Sequence, residues 1–467
     1  MKMVRPWTTI VVGVIAVTMC ASSASAASGP TGATGVSSPS TTTRSIGGSP
    51  LDPAAQVGKR RSRAYVSRQL DPAAIAYYVK TYQVSENVAR ERLIDQNVVV
   101  ALSAAVSERV GDDVGSVRYD NRAGKWVVSA TSQSGRRRAE SALEDFGLAE
   151  RSTTVDTPVS ATQLAATVRR LELTLGRRGL DRSVGVGSSA DTLTVDIDRD
   201  ASSTDEADIR SAVEQDAGSA PRRITKQRAP TKPTVACAFP FCDTLVAGTQ
   251  WQNSAARPCT LAFYVGPPGG AFAPHMLTAG HCLQTDYSPW FTCDPGGACR
   301  SYNTGIQGNR NYGGDSDNGI LRVDAHSGAV AGGWTLYPGY YNWSVSGLST
   351  VRSYYPAGWN VELWTTVCKN GRTTGTTCGT VTSNNNPYDL DDPANGNPKT
   401  KGMLLISGMC IRGGDSGSPV TRADQETAVG IISSGACGQP EYQNRTEGSA
   451  EPVGRALAEH GVVIYGG

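Results

Sequence analysis

Histidine is missing from the first half of this sequence. The chain holds four histidines, and the first of them is His275. Before that point no set of side chains has the spacing of a catalytic site, so we interpret the first half as a folding or inhibitory module. Aromatic residues make up only 7% of the chain, whereas glycine occurs 52 times. Gly, Ser and Thr concentrate in the second half, a composition typical of an all-β domain with many turns.

Cysteine is equally sparse in the first half, where Cys20 stands alone. The other ten cysteines all lie in the second half, and an even number confined to one region predicts a set of disulfides. Two close pairs, Cys237/Cys242 and Cys293/Cys299, could also be read as metal ligands. They lack the CxxC form and have no His nearby, so we expect no metal and no other cofactor.

No excess of charge of either sign marks the chain as a whole, whose net charge is +2. The sum therefore indicates no particular partner, and we expect no binding of nucleic acid. The residues from Val235 onward include 13 Lys/Arg and 17 Asp/Glu, which leaves 31 basic and 25 acidic side chains before them. The two halves carry opposite net charge, so we expect them to attract each other.

The N-terminal residues 1–26 have the three parts of a secretory signal peptide. Lys2 and Arg5 precede a short apolar run, and Ala24-Ser25-Ala26 closes it. The run is too short for a transmembrane helix and no second one follows. We therefore predict a secreted, extracellular protein with no stable membrane association. Residues 27–58 are rich in Ser, Thr, Gly and Pro and are predicted to be a disordered linker.

Residues 59–220 are predicted to form an α+β region made of two units with the same order of elements. The first unit includes a helix that starts at Asp71 and a long helix over Ser85–Val110. Residues 221–234 are basic and contain proline, which predicts an exposed domain boundary and a cleavage region. Residues 235–467 have short apolar segments between turn residues, one of them Asn360–Thr365, and predict a β-sandwich or barrel.

The segment Gly413–Pro419 contains the motif Gly414-Asp415-Ser416-Gly417. Its glycines allow a tight turn that presents the Ser416 hydroxyl as a nucleophile. The amides of Gly414 and Ser416 could then form an oxyanion hole. Taken alone, the motif fits a surface turn equally well. The α/β-hydrolase pattern G-x-S-x-G is not matched, because Ser418 replaces its last glycine.

Two further residues supply a base and an acid for this serine. His281 follows an apolar strand end, and the adjacent Cys282 could fix its turn, which suits a general base. Asp317 opens an apolar strand and is favoured as the orienting acid over Asp315 and Asp324. The chain order His, Asp, Ser in an all-β region is that of the chymotrypsin-type arrangement.

At this point the sequence resembles the secreted bacterial chymotrypsin-fold serine proteases, the streptogrisin and α-lytic protease group. The resemblance is carried by Thr278–Cys282, Asp317–Ile320, Cys368–Gly375, Cys410, Gly414–Gly417 and Val429–Gly435. It implies two six-stranded antiparallel β-barrels, preceded by a pro region that serves as an intramolecular chaperone and inhibitor. It further implies a self-processing serine endopeptidase that acts on proteins or peptides through an acyl-enzyme. The alternatives are an inactive binding module and a secreted esterase with the same triad.

The resemblance also implies roles for single residues. His281, Asp317 and Ser416 would be catalytic, and Gly414 and Ser416 would form the oxyanion hole. Substrate would be bound by Ile411, Arg412, Gly413, Ser433, Ser434 and Gly435. The implied disulfides are Cys259–Cys282, Cys368–Cys378 and Cys410–Cys437; Cys237–Cys242 and Cys293–Cys299 are added from proximity alone.

Two positions depart from the family pattern. Ser418 stands where the family has glycine, which bears on the geometry of the turn. Lys369 stands where α-lytic-like members have an arginine that pairs with the buried aspartate of the motif, here Asp415, and we predict that Lys369 neutralises it. The pocket positions carry no carboxylate. We therefore expect an apolar or medium-sized P1 side chain before the cut and not Lys or Arg.

Overall fold

The computed structural model describes a set of segments that begins in the predicted linker and ends one residue before the C-terminus. These are residues 49–50, 62–180, 184–198, 201–227, 244–253, 258–268, 275–283, 290–293, 299–302, 310–313, 316–322, 335–358, 360–389, 399–437 and 447–466. The predicted signal peptide, Cys237 and Cys242 lie outside them. The chain divides after Thr43, and every described residue belongs to the unit that begins at Arg44.

The first half contains two α+β units of similar layout, as predicted. A short strand and the first unit comprise β1 (Ser49–Pro50), α1 (Arg63–Gln69), α2 (Pro72–Tyr82), α3 (Glu86–Gln96), α4 (Val99–Val110), β2 (Val114–Asp120), β3 (Lys125–Ala130), α5 (Gln133–Asp145) and β4 (Ser152–Asp156). The second unit comprises α6 (Ala161–Arg177), β5 (Val184–Ser189), β6 (Thr192–Asp198), α7 (Ser203–Asp216) and β7 (Arg222–Gln227). In each unit two antiparallel strands are followed by a helix and by a third strand parallel to the second.

The third strand of the second unit corrects the predicted extent of the basic linker. Part of residues 221–234 is strand β7, which pairs with β6 from Leu193↔Arg222 onward. Ion pairs of Arg222 with Glu214 (2.5 Å) and of Lys226 with Glu206 (2.7 Å) fasten its basic side chains to helix α7. These basic side chains therefore help to attach strand β7 to helix α7. The sequence predicted a linker here because the strand consists largely of polar residues.

Strand β1 shows that part of residues 27–58, which were predicted to be disordered, is ordered. Ser49 and Pro50 pair with Gly466 and Tyr465 at the other end of the chain. The remainder of that predicted linker lies outside the described residues.

The predicted helix over Ser85–Val110 is two helices, α3 and α4. The break follows Gln96, whose carbonyl oxygen accepts a hydrogen bond from Arg422 Nη2 (2.6 Å). The side-chain Oε1 of Gln96 also accepts from the backbone amide of Thr366 (2.9 Å). Both hydrogen bonds join Gln96 to residues of the second half. We attribute the end of α3 at this residue to these contacts.

The second half is built of strands with one helix near its end. Its elements are β8 (Thr244–Ala247), β9 (Gln250–Asn253), β10 (Pro258–Thr260), β11 (Tyr264–Gly266), β12 (His275–Thr278), β13 (Trp290–Cys293), β14 (Cys299–Tyr302), β15 (Arg310–Gly313), β16 (Ser316–Arg322), β17 (Thr335–Asn342), β18 (Gly347–Thr350), β19 (Ser353–Tyr354), β20 (Thr366–Gly371), β21 (Gly375–Asp389), β22 (Lys399–Ser407), β23 (Pro419–Arg422), β24 (Thr427–Ala436), β25 (Glu447–Pro452), α8 (Val453–His460) and β26 (Val463–Gly466). No helix among the described residues combines the length and the apolar character that a membrane crossing needs.

Six strands of the second half close into a barrel in the order β24-β23-β20-β21-β22-β25, because β25 pairs with both β22 and β24. Val367, Ile406 and Ile432 are fully buried in its core. Strand β19 pairs with β24 at the edge of this barrel. The remaining strands of the second half, together with β1, form three sheets: β1-β26-β11-β12-β16-β15, β10-β9-β13-β14 and β18-β17-β8. Their described pairings do not close, so one barrel of the expected two is complete in the part of the chain that the structure describes.

The predicted strand Asn360–Thr365 is wrong. This stretch is a turn in which Trp364 has a left-handed φ of 69°. The Trp364 amide donates to the carbonyl of Val381 (2.7 Å), and β20 begins only at Thr366. Val361 and Leu363 are buried without being part of a strand, which the apolar pattern alone does not reveal.

Candidate active site

His281 lies in a short 3₁₀ turn, Gly280–Cys282, directly after strand β12. A disulfide between Cys282 and Cys259 ties this turn to strand β10. Gly280 permits the turn because a side-chain carbon there would lie 2.2 Å from the carbonyl oxygen of Asn311. The His281 side chain is thereby held in a buried position, with 6% of it exposed.

Asp317 makes two hydrogen bonds to His281. Its Oδ1 accepts the backbone amide of His281 (2.8 Å), and its Oδ2 lies 2.8 Å from the ring nitrogen Nδ1. A carboxylate oxygen can only accept, so Nδ1 carries the proton. In a neutral imidazole, Nε2 then has its lone pair free to accept a proton. The pair therefore has the geometry of a base whose tautomer is fixed by an acid.

The carboxyl group of Asp317 is completely buried at the start of β16. Burial alone would raise its pKa, but the charge and hydrogen bond of His281 and the hydroxyl of Ser433 outweigh it, so the pKa lies below its usual value. Ser433 Oγ donates to Asp317 Oδ2 at 2.5 Å. The site thus stabilises the ionised form of the acid, as an orienting carboxylate requires.

Ser416 reaches the same neighbourhood through Ser433. Its Oγ lies 3.4 Å from the carbonyl oxygen of Ser433, whose own hydroxyl binds Asp317. Within the described residues no hydrogen bond joins Ser416 Oγ to His281. Bonds of this kind are often long in a free enzyme and shorten with substrate bound. The structure therefore brings Ser416, His281 and Asp317 to one place, with Ser433 in contact with both ends.

The glycines of the serine loop have conformations that other residues would not tolerate. Gly414 and Gly417 have φ values of 94° and 84°. A side-chain carbon at Gly417 would lie 2.2 Å from the carbonyl oxygen of Thr260, and one at Gly414 would lie 2.5 Å from Thr373 Oγ1. The loop is fixed by strand β10, since the Thr260 amide donates to the Ser416 carbonyl (2.7 Å).

Asp415 and Lys369 form a buried ion pair beneath this loop. Both side chains are 0% exposed, and Lys369 Nζ lies 3.4 Å from Asp415 Oδ2. The carboxylate also accepts the amides of Thr373 (2.9 Å) and Thr374 (3.1 Å) and the amide of Arg412 (3.0 Å). Burial lowers the pKa of Lys369, and the negative charge of Asp415 offsets part of that effect. Lys369 therefore lies close enough to Asp415 to neutralise its charge, as the prediction requires.

Ser418, which departs from the family pattern, fits its position without disturbing the turn. Its side chain is fully buried, and its hydroxyl donates a short hydrogen bond to the Asp415 carbonyl. The space for that hydroxyl exists because Gly371 lies opposite: a side-chain carbon there would be 2.5 Å from Ser418 Oγ.

The expected substrate-binding residues lie on both sides of the serine loop. Ile411 is buried, and its Cδ1 would lie 2.2 Å from a side-chain carbon at Gly448 and 2.7 Å from one at Gly435. Its side chain therefore fills the space beside these two glycines. Ser434 lies in β24, with its hydroxyl 3.0 Å from that of Ser449. Arg412 is exposed, and the carbonyl of its neighbour Gly413 accepts from a threonine hydroxyl (2.8 Å).

The structure forms the three disulfides implied by the resemblance: Cys259–Cys282, Cys368–Cys378 and Cys410–Cys437. Cys293 and Cys299 are opposite residues in the β13–β14 ladder, and a bond between them stays a prediction. Cys259, His281 and Cys282 place three potential ligand atoms within 4.8 Å of one another. The two sulfur atoms are bonded to each other, so no thiolate is available there for a metal.

Sequence reasoning missed two contributions to this site. Ser433 was expected to bind substrate through its backbone, and its hydroxyl bond to Asp317 was not foreseen. Glu451 was not singled out, yet its carboxylate accepts the Asp317 amide (3.1 Å). The i,i+4 spacing of Glu451 and Arg455 is a signal that could have identified an ion pair there.

Comparison with known proteins finds a family model, a curated relative and solved structures that are similar to this chain. Residues 246–449 match the family model described as Trypsin. Over 367 residues the chain is 27% identical to Serine protease 1 of Streptomyces fradiae, a match that covers 78% of this chain and 87% of that protein. Among solved structures, Thermobifida fusca Protease A matches with 22% identity, 48% of this chain, 100% of that chain and a TM-score of 0.36. Cellulomonas bogoriensis chymotrypsin matches with 22% identity, 47% of this chain, 98% of that chain and a TM-score of 0.34.

The family match and the curated relative support one class of protein, a chymotrypsin-type serine endopeptidase. Residues 246–449 are its trypsin-family domain. That domain contains strand β24 and the start of β25, the turn of His281 and the loop of Ser416.

Proposed function

We propose that the chain is a secreted, self-processing zymogen whose residues 235–467 hydrolyse peptide bonds through His281, Asp317 and Ser416. The observation that carries the proposal is the position of the buried Asp317 carboxylate. It binds His281 through Nδ1 and Ser433 through its hydroxyl, while the carbonyl of Ser433 faces the Ser416 hydroxyl. One acid thereby organises both the base and the surroundings of the nucleophile.

In the proposed mechanism, Ser416 Oγ attacks the carbonyl carbon of the scissile peptide while His281 Nε2 accepts its proton. Asp317 keeps the other ring proton on Nδ1 and stabilises the imidazolium. The amides of Gly414 and Ser416 donate to the oxyanion of the tetrahedral intermediate. His281 then gives its proton to the leaving amine, and water hydrolyses the acyl-enzyme by the same steps. The edge of strand β24 at Ser433–Gly435 binds the substrate backbone as an added strand.

The proposed P1 preference is for small apolar side chains. Ile411 supports this because its side chain occupies the space beside Gly435 and Gly448. A pocket shortened in this way accepts a methyl group or a short branched chain and excludes large aromatic rings. This refines the expectation of an apolar or medium-sized residue.

The proposed role of residues 59–220 is that of a pro region that assists folding and covers the enzyme until it is cut away. Its helices α2 and α3 share a core with the second half, in which Tyr78 and Leu93 pack in one cluster with Cys368 and Cys378. Polar side chains of the pro region also satisfy backbone groups at the start of β20. Asn121 Nδ2 donates to the Trp364 carbonyl (2.7 Å), as Gln96 accepts from the amide two residues later.

The test is expression of the full chain as wild type and as Ser416→Ala, with mass spectrometry of the products. We expect the wild type to separate into two parts with a cut between β7 and β8, and the variant to stay joined. A wild-type chain that stays joined would contradict self-processing. A fluorophosphonate probe tests the nucleophile separately: we expect it to label the wild type at Ser416 and not the variant, and an unlabelled wild type would refute the proposed triad.

A further inference from the structure

We infer that Glu451 and Arg455 position Asp317 from the side opposite His281, as a pair outside the triad. Glu451 holds the backbone amide of Asp317, and Arg455 holds Glu451. The inference rests on the proposed function, because positioning of Asp317 affects the reaction only if Asp317 orients His281. Neither residue touches substrate in this assignment, so both are positioning residues.

The first step is the contact to Asp317 itself. The Asp317 amide donates to Glu451 Oε2 at 3.1 Å, and both residues are 0% exposed. A buried amide without a partner is strongly disfavoured, so this carboxylate oxygen has a defined task. The side chain of Asp317 is fixed by His281 and Ser433, whereas its backbone is fixed by Glu451. The acid is therefore held at both ends.

The second step is the anchoring of Glu451 by Arg455. Arg455 Nε donates to Glu451 Oε1 (2.5 Å) and Nη2 to Oε2 (2.7 Å), a two-point pairing that sets the plane of the carboxylate. Arg455 Nη1 is fixed in turn by the Lys401 carbonyl (2.8 Å) on β22. Burial raises the pKa of Glu451, and Arg455 counteracts this. The arginine thus keeps an acceptor with a fixed orientation behind Asp317.

Helix α8, which contains Arg455, also binds the residues on either side of Asp317. Glu459 of α8 accepts from Ser316 Oγ (2.5 Å) and from Asn318 Nδ2 (2.8 Å). His460 Nε2 lies 2.7 Å from Asn318 Oδ1. Three consecutive residues of β16 are therefore bound by side chains of α8 or of the strand end before it.

Helix α8 connects two parts of the fold that carry different members of the proposed triad. Helix α8 follows β25, a strand of the barrel that also holds Ser416 and its loop, whereas Asp317 belongs to the sheet β11-β12-β16-β15. The Glu451–Arg455 pair thus joins the strand of the acid to the barrel of the nucleophile. A shift of Asp317 along its strand would move His281 relative to Ser416, and displacements of about 1 Å can cost roughly 100-fold in rate.

The experiment measures kcat and KM of the matured enzyme on a peptide amide, with the active sites counted by fluorophosphonate titration. Glu451→Ala is expected to lower kcat per titrated site roughly 10- to 100-fold, with KM within about twofold. Glu451→Gln retains an oxygen that can accept the Asp317 amide, so we expect it to recover kcat to within roughly fivefold of wild type. The control is Glu362→Gln, a buried glutamate bonded to the Tyr355 hydroxyl (2.8 Å), which should leave kcat unchanged.

Counting sites separates positioning from folding, because a variant that folds poorly has fewer titrated sites but normal kcat at each. An unchanged kcat per site in Glu451→Ala would overturn the inference, and so would equal losses in the Ala and Gln variants. If Glu451→Ala does not mature, Arg455→Met decides the question: we expect kcat to fall roughly 5- to 10-fold, and an unchanged value contradicts us. Failure of the probe to label the wild type would instead refute the proposed triad.

Discussion

Replacement of Lys369 by methionine should weaken both the folded enzyme and its maturation. The structure buries Lys369 and Asp415 completely, with Nζ 3.4 Å from Oδ2. Removal of one partner from a buried pair costs about 3–5 kcal/mol, because the remaining charge has no counterion. The lysine also donates to Thr374 Oγ1 (2.5 Å) and to the Gly375 carbonyl (2.8 Å), which lose this partner. Against a total unfolding free energy of about 5–15 kcal/mol, this loss is large.

The assay is urea unfolding of the full chain in the Ser416→Ala background, where self-cleavage does not interfere. With a slope of about 3 kcal/mol per M, the expected loss lowers the unfolding midpoint by roughly 1 M or more. In the active background we expect Lys369→Met to yield less matured enzyme, detected by mass spectrometry and probe labelling. Lys401→Met on β22 is the matched control, since it removes a half-exposed lysine from the same barrel.

Lys369→Arg separates charge from shape. It keeps a cation beside Asp415 but adds volume in a filled space, at a cost of about 1–3 kcal/mol. We expect it to recover more stability and more matured enzyme than methionine does. Our account of the pair is refuted if Lys369→Met unfolds within about 0.2 M of wild type and matures and cuts equally well.

Two further outcomes follow from the substrate pocket and from a buried histidine. Ile411→Ala should enlarge the P1 pocket by the volume of three carbon atoms. We expect kcat/KM for Leu or Phe over Ala at P1 to rise by roughly 30-fold, which corresponds to about 2 kcal/mol. An unchanged preference in a library of peptide amides would exclude Ile411 from the pocket. Burial lowers the pKa of His460 to about 4, an effect opposed by Glu459 and reinforced by His275. Because the folded pKa lies below the unfolded value of about 6.5, His460 should make the unfolding free energy fall by about 3 kcal/mol as the pH drops from 6.5 towards 4. His460→Gln should flatten this dependence in urea titrations, and an unaltered slope would assign the acid sensitivity to other groups.

The candidate site could be read from the sequence because its parts are short and have fixed chemistry. The serine turn, the turn after an apolar strand and the aspartate at a strand entry each occupy a few neighbouring residues. The contacts that complete the site are long-range and left no local pattern. Ser433 and Glu451 reach Asp317 across 116 and 134 positions of the chain, and nothing in their immediate surroundings marks them as partners of an acid.

The fold was predictable where periodicity and caps agree and was not where tertiary contacts override them. Helix α2 starts as predicted, because Asp71 accepts the Ala73 amide (2.7 Å). Strands β4 and β7 were missed because they are short and largely polar, and their parallel pairing is decided by the helices that precede them. The break after Gln96 depends on residues of the other half, so no window of the helix sequence contains its cause.

The hairpin of β20 and β21 contacts both the first half of the chain and the aspartate beneath the serine loop. On one side its disulfide, Cys368–Cys378, shares a core with helices α2 and α3 of the proposed pro region. On the other side Lys369, next to Cys368, pairs with Asp415 under the serine loop. The hairpin thus supplies Lys369, the buried cation beside the Asp415 carboxylate of that loop. The first half contacts the same hairpin and satisfies the amide of Thr366 at its start, so the role proposed for the pro region would act on the hairpin that supplies this lysine.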